Sequence, residues 1–226
     1  MVLGDQLRLK LEHPARFDRE GFIRSASNAE AAARLDAWPT ASGGALALIG
    51  PAGAGKSHLA EIWRARVGAT AVTAERLSAE GAQGLYGPLL FEDADRASHG
   101  EALFHLLNRA ERGAASLLMT GRAPPAAWRV EVADLRSRLN AVAVIEVHEP
   151  DDAVLRGVLV KLFRERNIRP SPELLNYLLT RIDRSAPAAE AVVAALDETA
   201  AAERRPVSRA LARLVLKDEA EADDGS

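Results

Sequence analysis

From Ala45 onward the chain alternates between short apolar runs and longer stretches in which apolar residues recur at helical spacing. The runs are Ala45–Ile49, Ala69–Thr73, Leu89–Phe91, Ser116–Thr120 and Ala141–Val147, and helical stretches begin near Lys56, Ala74, Ser98 and Pro125. Runs this short and this apolar suit strands covered by helices on both faces, and their regular alternation with helices makes the sheet parallel. The expectation is an α/β domain over 17–149 with a five-stranded parallel sheet. Ahead of the sheet, Phe17 to Trp38 carries a helix-like pattern closed by Pro39. After Glu149-Pro150 only helical patterns remain, each with a start signal: Asp151-Asp152, Ser171-Pro172-Glu173, Ser185 with Pro187, and Ser208 after Pro206. This predicts a small all-α domain over 150–216. Residues 1–16 read as an arm outside the core, and 217–226, acidic and small, as a disordered tail.

Composition narrows the class. With 226 residues the chain has room for one α/β domain and a small second one. A net charge of −3 gives no general attraction to phosphate backbones, so direct sequence-specific DNA binding is not expected. The absence of cysteine removes disulfides and thiolate chemistry. No stretch resembles a signal peptide or a membrane span, and a cytoplasmic location is the expectation. His13, His58, His99, His105 and His148 match no metal-site spacing, and Trp38, Trp63 and Trp128 are too scattered for a base-stacking platform.

The chemistry lies in Gly50, Pro51, Ala52, Gly53, Ala54, Gly55, Lys56 and Ser57. A Gly-x-x-x-x-Gly-Lys-Ser run that follows an apolar strand and opens a helix is a P-loop. Its glycines let backbone N–H groups turn toward the α- and β-phosphates, and the helix N-terminus adds positive potential. Lys56 reaches the β- and γ-phosphates, and Ser57 ligates Mg²⁺. Downstream, Leu89-Leu90-Phe91 ends in Glu92 and Asp93, an acid pair where a Walker B motif places carboxylates beside the metal and the attacking water. Glu92 takes the metal position, where Asp is usual, so an altered metal geometry is expected; Asp93 takes the water position. Thr120, at the end of the next central strand, is a candidate sensor of the γ-phosphate or the water, the plainer alternative being a strand cap.

Several stretches together resemble the DnaA-related AAA+ family, and more closely its Hda group of small regulatory inactivators. They are Phe22-Ile23 with Ser27-Asn28-Ala29, Gly55-Lys56-Ser57-His58-Leu59, Leu135-Arg136-Ser137-Arg138-Leu139, and the helices after Pro150. The resemblance implies an AAA+ P-loop NTPase fold with a helical lid and bound ADP or ATP with Mg²⁺. It adds Phe22, Ile23, Asn28 and His58 to the nucleotide site and makes Arg138 an arginine finger, with Arg136 the runner-up. It also implies that Gln6, Leu7, Leu9 and Leu11 form a peptide that binds the sliding clamp, with DnaA as the second partner; homodimerisation is left open. DnaA proteins continue past the lid into a helix-turn-helix domain, whereas this sequence ends at Ser226, which favours the inactivator group.

One departure concerns the lid. The family's second sensor arginine lies early in a lid helix after an Arg-Ser pair, but here Arg184-Ser185 leads into Ala186-Pro187-Ala188-Ala189. With Glu92, this points to a site that holds nucleotide and turns it over slowly. The expected function is negative regulation of replication initiation by stimulating ATP hydrolysis on DnaA. The alternatives are an autonomous DnaA-like ATPase, a nucleotide kinase, for which no acceptor site or basic lid is identifiable, and an initiation-complex scaffold.

Overall fold

The computed structural model describes residues 21–39, 43–73, 81–82, 84–96, 100–130 and 132–223, with side chains as far as Leu216. Five strands, β1 (Gly44–Ile49), β2 (Thr70–Val72), β3 (Gly87–Phe91), β4 (Ala115–Gly121) and β5 (Ala143–Glu146), form one all-parallel sheet in the order β2-β3-β4-β1-β5. The α/β fold expected from the apolar runs is therefore present.

Alternation along the strands divides the core in two. Leu89, Phe91, Leu117 and Met119 face one side, where Leu103, Leu106, Leu107, Trp128, Leu135 and Leu139 complete a buried cluster. Leu46, Leu48, Leu90 and Leu118 face the other, against Leu35, Leu59 and Trp63. Helices α1 (Ala29–Asp36) and α2 (Lys56–Val67) cover this second face, and α3 (Gly100–Glu111) with α4 (Ala133–Ala141) cover the first. The tryptophans are packing residues: Trp38 and Trp63 stack with ring centroids 5.1 Å apart, and the buried Trp128 donates to the carbonyl of Ala123 at 2.7 Å.

Four further helices follow Pro150: α5 (Asp152–Glu165), α6 (Pro172–Leu179), α7 (Ala186–Ala202) and α8 (Arg209–Asp223). Their starts are set by local chemistry, since Asp151, Ser171, Ser185 and Ser208 each accept a hydrogen bond from the backbone N–H three residues on. Leu155, Leu159, Phe163, Leu174, Leu178, Val193, Leu196 and Leu211 form their shared core.

Several boundaries differ from expectation. Residues 21–28 are not helical, because Ser25, Ser27 and Asn28 hydrogen-bond one another and the nearby backbone, and only Ala29–Asp36 forms helix. Ala141 closes α4 and does not begin a strand. The segment at Pro125 is one 3₁₀ turn, Pro125–Ala127. Helix α8 continues to Asp223, so 217–223 are helical where a disordered tail was expected. The helix expected from Ala74 lies outside the described residues, as do Gln6, Leu7, Leu9 and Leu11.

Candidate functional site

Parallel strands carry their loops to one end of the sheet, and the chemistry gathers at the carboxyl ends of β1, β3 and β4. The loop from Gly50 to Gly55 connects β1 to α2. Gly50 and Gly53 are required here for different reasons. At Gly50 (φ +149°) a Cβ would lie 2.1 Å from the carbonyl oxygen of Val147, so the loop is seated on the chain leaving β5. At Gly53 (φ +75°) a Cβ would lie 2.4 Å from the Cβ of Ser185, so the loop touches the start of α7.

Lys56 is buried at the first turn of α2 and donates to the carbonyls of Gly50 and Pro51 at 2.8 and 2.7 Å. Burial holds its ammonium below the ordinary lysine range; Asp93 and Asp95 oppose that shift, and Arg122 and Arg96 add to it. The Ser57 hydroxyl lies near enough to the Glu92 carboxyl to favour its charged form. Loss of solvent around that carboxyl pushes Glu92 above the ordinary range, the Ser57 hydroxyl offsetting part of the shift, although the residue as a whole remains exposed. The P-loop hydroxyl and the first acid after β3 are thus neighbours, and two such oxygens would suit Mg²⁺ with phosphate.

Asp93 has left-handed backbone (φ +47°), and its N–H donates to the Thr120 hydroxyl at 2.9 Å. Thr120 is buried, so this bond ties the end of β4 to the turn after β3. The Asp93 carboxylate stays exposed, 3.8 Å from Arg96. An exposed acid held beside Lys56 can orient water, which is what the second acid of such a pair does.

The segment before α1 closes one flank. Phe22 packs edge-on against the His58 ring with centroids 5.2 Å apart. Ile23 is wedged against the lid, since a Cβ on Gly157 of α5 would lie 2.3 Å from its Cδ1. Asn28 is buried; its Oδ1 accepts from the N–H of Ser25 and its Nδ2 donates to the carbonyl of Ile23. It shapes the loop that carries Phe22 and Ile23, so its side chain is engaged with backbone.

The two arginines before β5 have different surroundings. Arg136 donates to the carbonyls of Ala126, Trp128 and Val130 and fixes that loop. Arg138 pairs with Glu111 of α3 and lies over the Phe104 ring at 5.2 Å, while its buried Nε has no hydrogen-bond partner among the described residues. It borders a cleft of about 180 Å³ lined also by Ala45, Leu107, Ala141 and Val142. Ala45 lies at the amino end of β1 and the P-loop leaves its other end, so the strand, roughly 17 Å long, separates Arg138 from the chain's own cradle.

At the lid, the first turn of α7 presents Ser185 and Pro187 to Gly53 and carries no cation. Arg184 is turned away, paired with Asp152 at 2.7 Å and donating to the carbonyl of Pro150 at 3.4 Å. Sequence reasoning missed Glu111, Asp95, Arg122 and Gly157. Only Gly157 left a signal, a glycine inside a helix, which often marks close packing.

No family model matches the chain, and no curated relative matches it. Solved structures do. Domain III of the Thermotoga maritima replication initiation protein DnaA superposes with a TM-score of 0.73 at 19% identity, covering 91% of this chain and 97% of that one. AMPPCP-bound DnaA from Aquifex aeolicus gives 0.64 at 16% identity, covering 81% and 66%. A Thermotoga maritima RuvB variant gives 0.65 at 13%, covering 84% and 67%. The fold is that of an AAA+ P-loop NTPase. Its fold is similar to that of DnaA domain III, and a likeness covering 91% of this chain takes in part of the helical region after Pro150.

Proposed function

We propose that this chain is an adenine-nucleotide-binding AAA+ regulator of replication initiation that acts on DnaA in trans. The observation that carries the reading is the separation of Arg138 from the chain's own P-loop by the length of β1. A guanidinium so placed cannot reach the γ-phosphate in cis, but it can serve a nucleotide held by a neighbouring molecule once Glu111 gives way to the stronger phosphate charge. Its own cradle holds ADP or ATP through the backbone of 50–55, Lys56 and Ser57, with Glu92 beside Mg²⁺ and Phe22, Ile23 and His58 on the flank. Nucleotide-bound DnaA among the similar structures supports that assignment. Without a lid cation, and with Glu92 at the metal position, turnover in its own site is slow, and the bound nucleotide stabilises the fold.

The sliding clamp and the cytoplasm complete the proposal, with Gln6, Leu7, Leu9 and Leu11 as the clamp peptide: in an extended segment the three leucines share one side. The test is hydrolysis of DnaA-bound ATP on clamp-loaded DNA with wild type, Arg136→Ala and Arg138→Ala. An arginine finger is worth roughly 10³–10⁵ in rate. Arg138→Ala should therefore abolish stimulation while keeping clamp and nucleotide binding. Full stimulation by Arg138→Ala, or fast hydrolysis by this chain alone, would overturn the reading.

A further inference from the structure

The strand register brings one more cation to the phosphate site. Gly121, the last residue of β4, pairs with Ile49, the last residue of β1. Arg122 therefore emerges beside Gly50, where the P-loop begins. Its backbone N–H donates to Asp95 Oδ2 at 2.8 Å. Gly121 gives that turn its close fit, since a Cβ there would lie 3.1 Å from Trp128 and 3.4 Å from Asp95. The position of Arg122 is thus fixed by a strand end, a carboxylate and a buried indole.

Its guanidinium has no such engagement. Arg96 faces Asp93, Arg184 faces Asp152, Arg138 faces Glu111, and Arg136 is occupied by three carbonyls. Among the described residues the Arg122 side chain is exposed and makes no hydrogen bond or ion pair. The Ile49–Gly121 pairing sets it at the same end of the sheet as Gly50, whose carbonyl accepts from the Lys56 ammonium. Two cations converging on one cradle repel each other, and a polyanion between them turns that repulsion into two charge-assisted contacts.

We infer that Arg122 is the cis cation for the terminal phosphate of a bound nucleoside triphosphate, doing from the end of β4 what no residue at the start of α7 can do. Asp95 is its positioning residue, through the backbone bond. The inference rests on the P-loop reading. A planar guanidinium suits the γ-phosphoryl oxygens, which a diphosphate lacks, so Arg122 discriminates between the two nucleotides.

The experiment is calorimetric titration of wild type, Arg122→Ala and Arg122→Lys with ADP and with a non-hydrolysable ATP analogue, both with Mg²⁺. Removing one charged hydrogen-bonding partner should weaken analogue binding about tenfold to a hundredfold and leave ADP nearly unchanged. Arg122→Lys should recover part of the loss. Equal losses for both nucleotides would make Arg122 a structural residue, and no loss for either would remove it from the site. Wild type that binds ADP but shows no selective effect sinks this inference alone; wild type that binds neither nucleotide sinks the P-loop reading with it.

Discussion

The contact between Gly53 and Ser185 joins the phosphate loop to the lid, and its strength can be measured. In Gly53→Ala the new methyl would lie 2.4 Å from Ser185 Cβ and 3.2 Å from Pro187 Cδ, on backbone at φ +75°. The left-handed backbone costs a non-glycine residue about 1–2 kcal/mol, and relieving the overlap adds about 1–3 kcal/mol. Gly55→Ala provides the comparison, because its φ is +94° yet nothing lies within 4 Å of the added Cβ. It should bear the backbone cost alone. Urea unfolding of both variants without nucleotide should place Gly53→Ala below Gly55→Ala by roughly the overlap cost. Amide exchange at the first turn of α7 should rise only in Gly53→Ala. A second substitution, Ser185→Gly, removes the opposing Cβ at the cost of only a few tenths of a kcal/mol in capping. It should recover much of the overlap cost in the Gly53→Ala background. Equal midpoints for the two alanine variants, or a double variant no better than Gly53→Ala, would refute the contact.

Other predictions follow from single sites. Phe163→Ala, in the fully buried lid core, should cost about 3–5 kcal/mol in urea unfolding. Arg136→Ala frees three carbonyls and should destabilise the protein by about 2 kcal/mol, whereas Arg138→Ala should cost less than half of that. Asp151 is held below the ordinary carboxylate range, first by its hydrogen bond from the Val154 N–H, so it stabilises the fold above its unfolded pKa and loses that effect as pH falls through the folded value. Asp151→Ala should therefore cost about 1 kcal/mol at neutral pH, the gap from wild type closing in acid. Replacing Gln6 and Leu9 by Ala should abolish co-elution with the clamp while leaving nucleotide affinity intact.

What was legible in the sequence is what neighbouring residues decide. The caps at Asp151, Ser171, Ser185 and Ser208 depend on bonds spanning three residues, so the starts of α5 to α8 could be read directly. The central strands were legible because both faces of a parallel sheet are buried there. Ends were less so: Ala141 is apolar and adjoins a strand, yet the N–H of Val142 bonds back to Leu139 and closes a helix. The segment at 21–28 looked helical because its apolar spacing conceals a local network built on Asn28. Relations set by strand order and lid docking left almost no local trace. Arg122 comes to lie beside Gly50 only because β4 pairs with β1, and Arg138 lies far from the P-loop only because α4 ends at the opposite end of that strand. The P-loop motif was legible as a run of residues, while the place of each arginine relative to it required the fold.

The most direct test of the account is ADP titration into wild type and Lys56→Ala, followed by calorimetry with Mg²⁺ present. Lys56 is the buried ammonium that the loop carbonyls of Gly50 and Pro51 hold at 2.8 and 2.7 Å, within the cradle a β-phosphate would enter. The account predicts saturable one-to-one binding by wild type and a loss of at least about tenfold in Lys56→Ala, with folding retained. Equal affinity in the two proteins, or no binding by wild type, would contradict it.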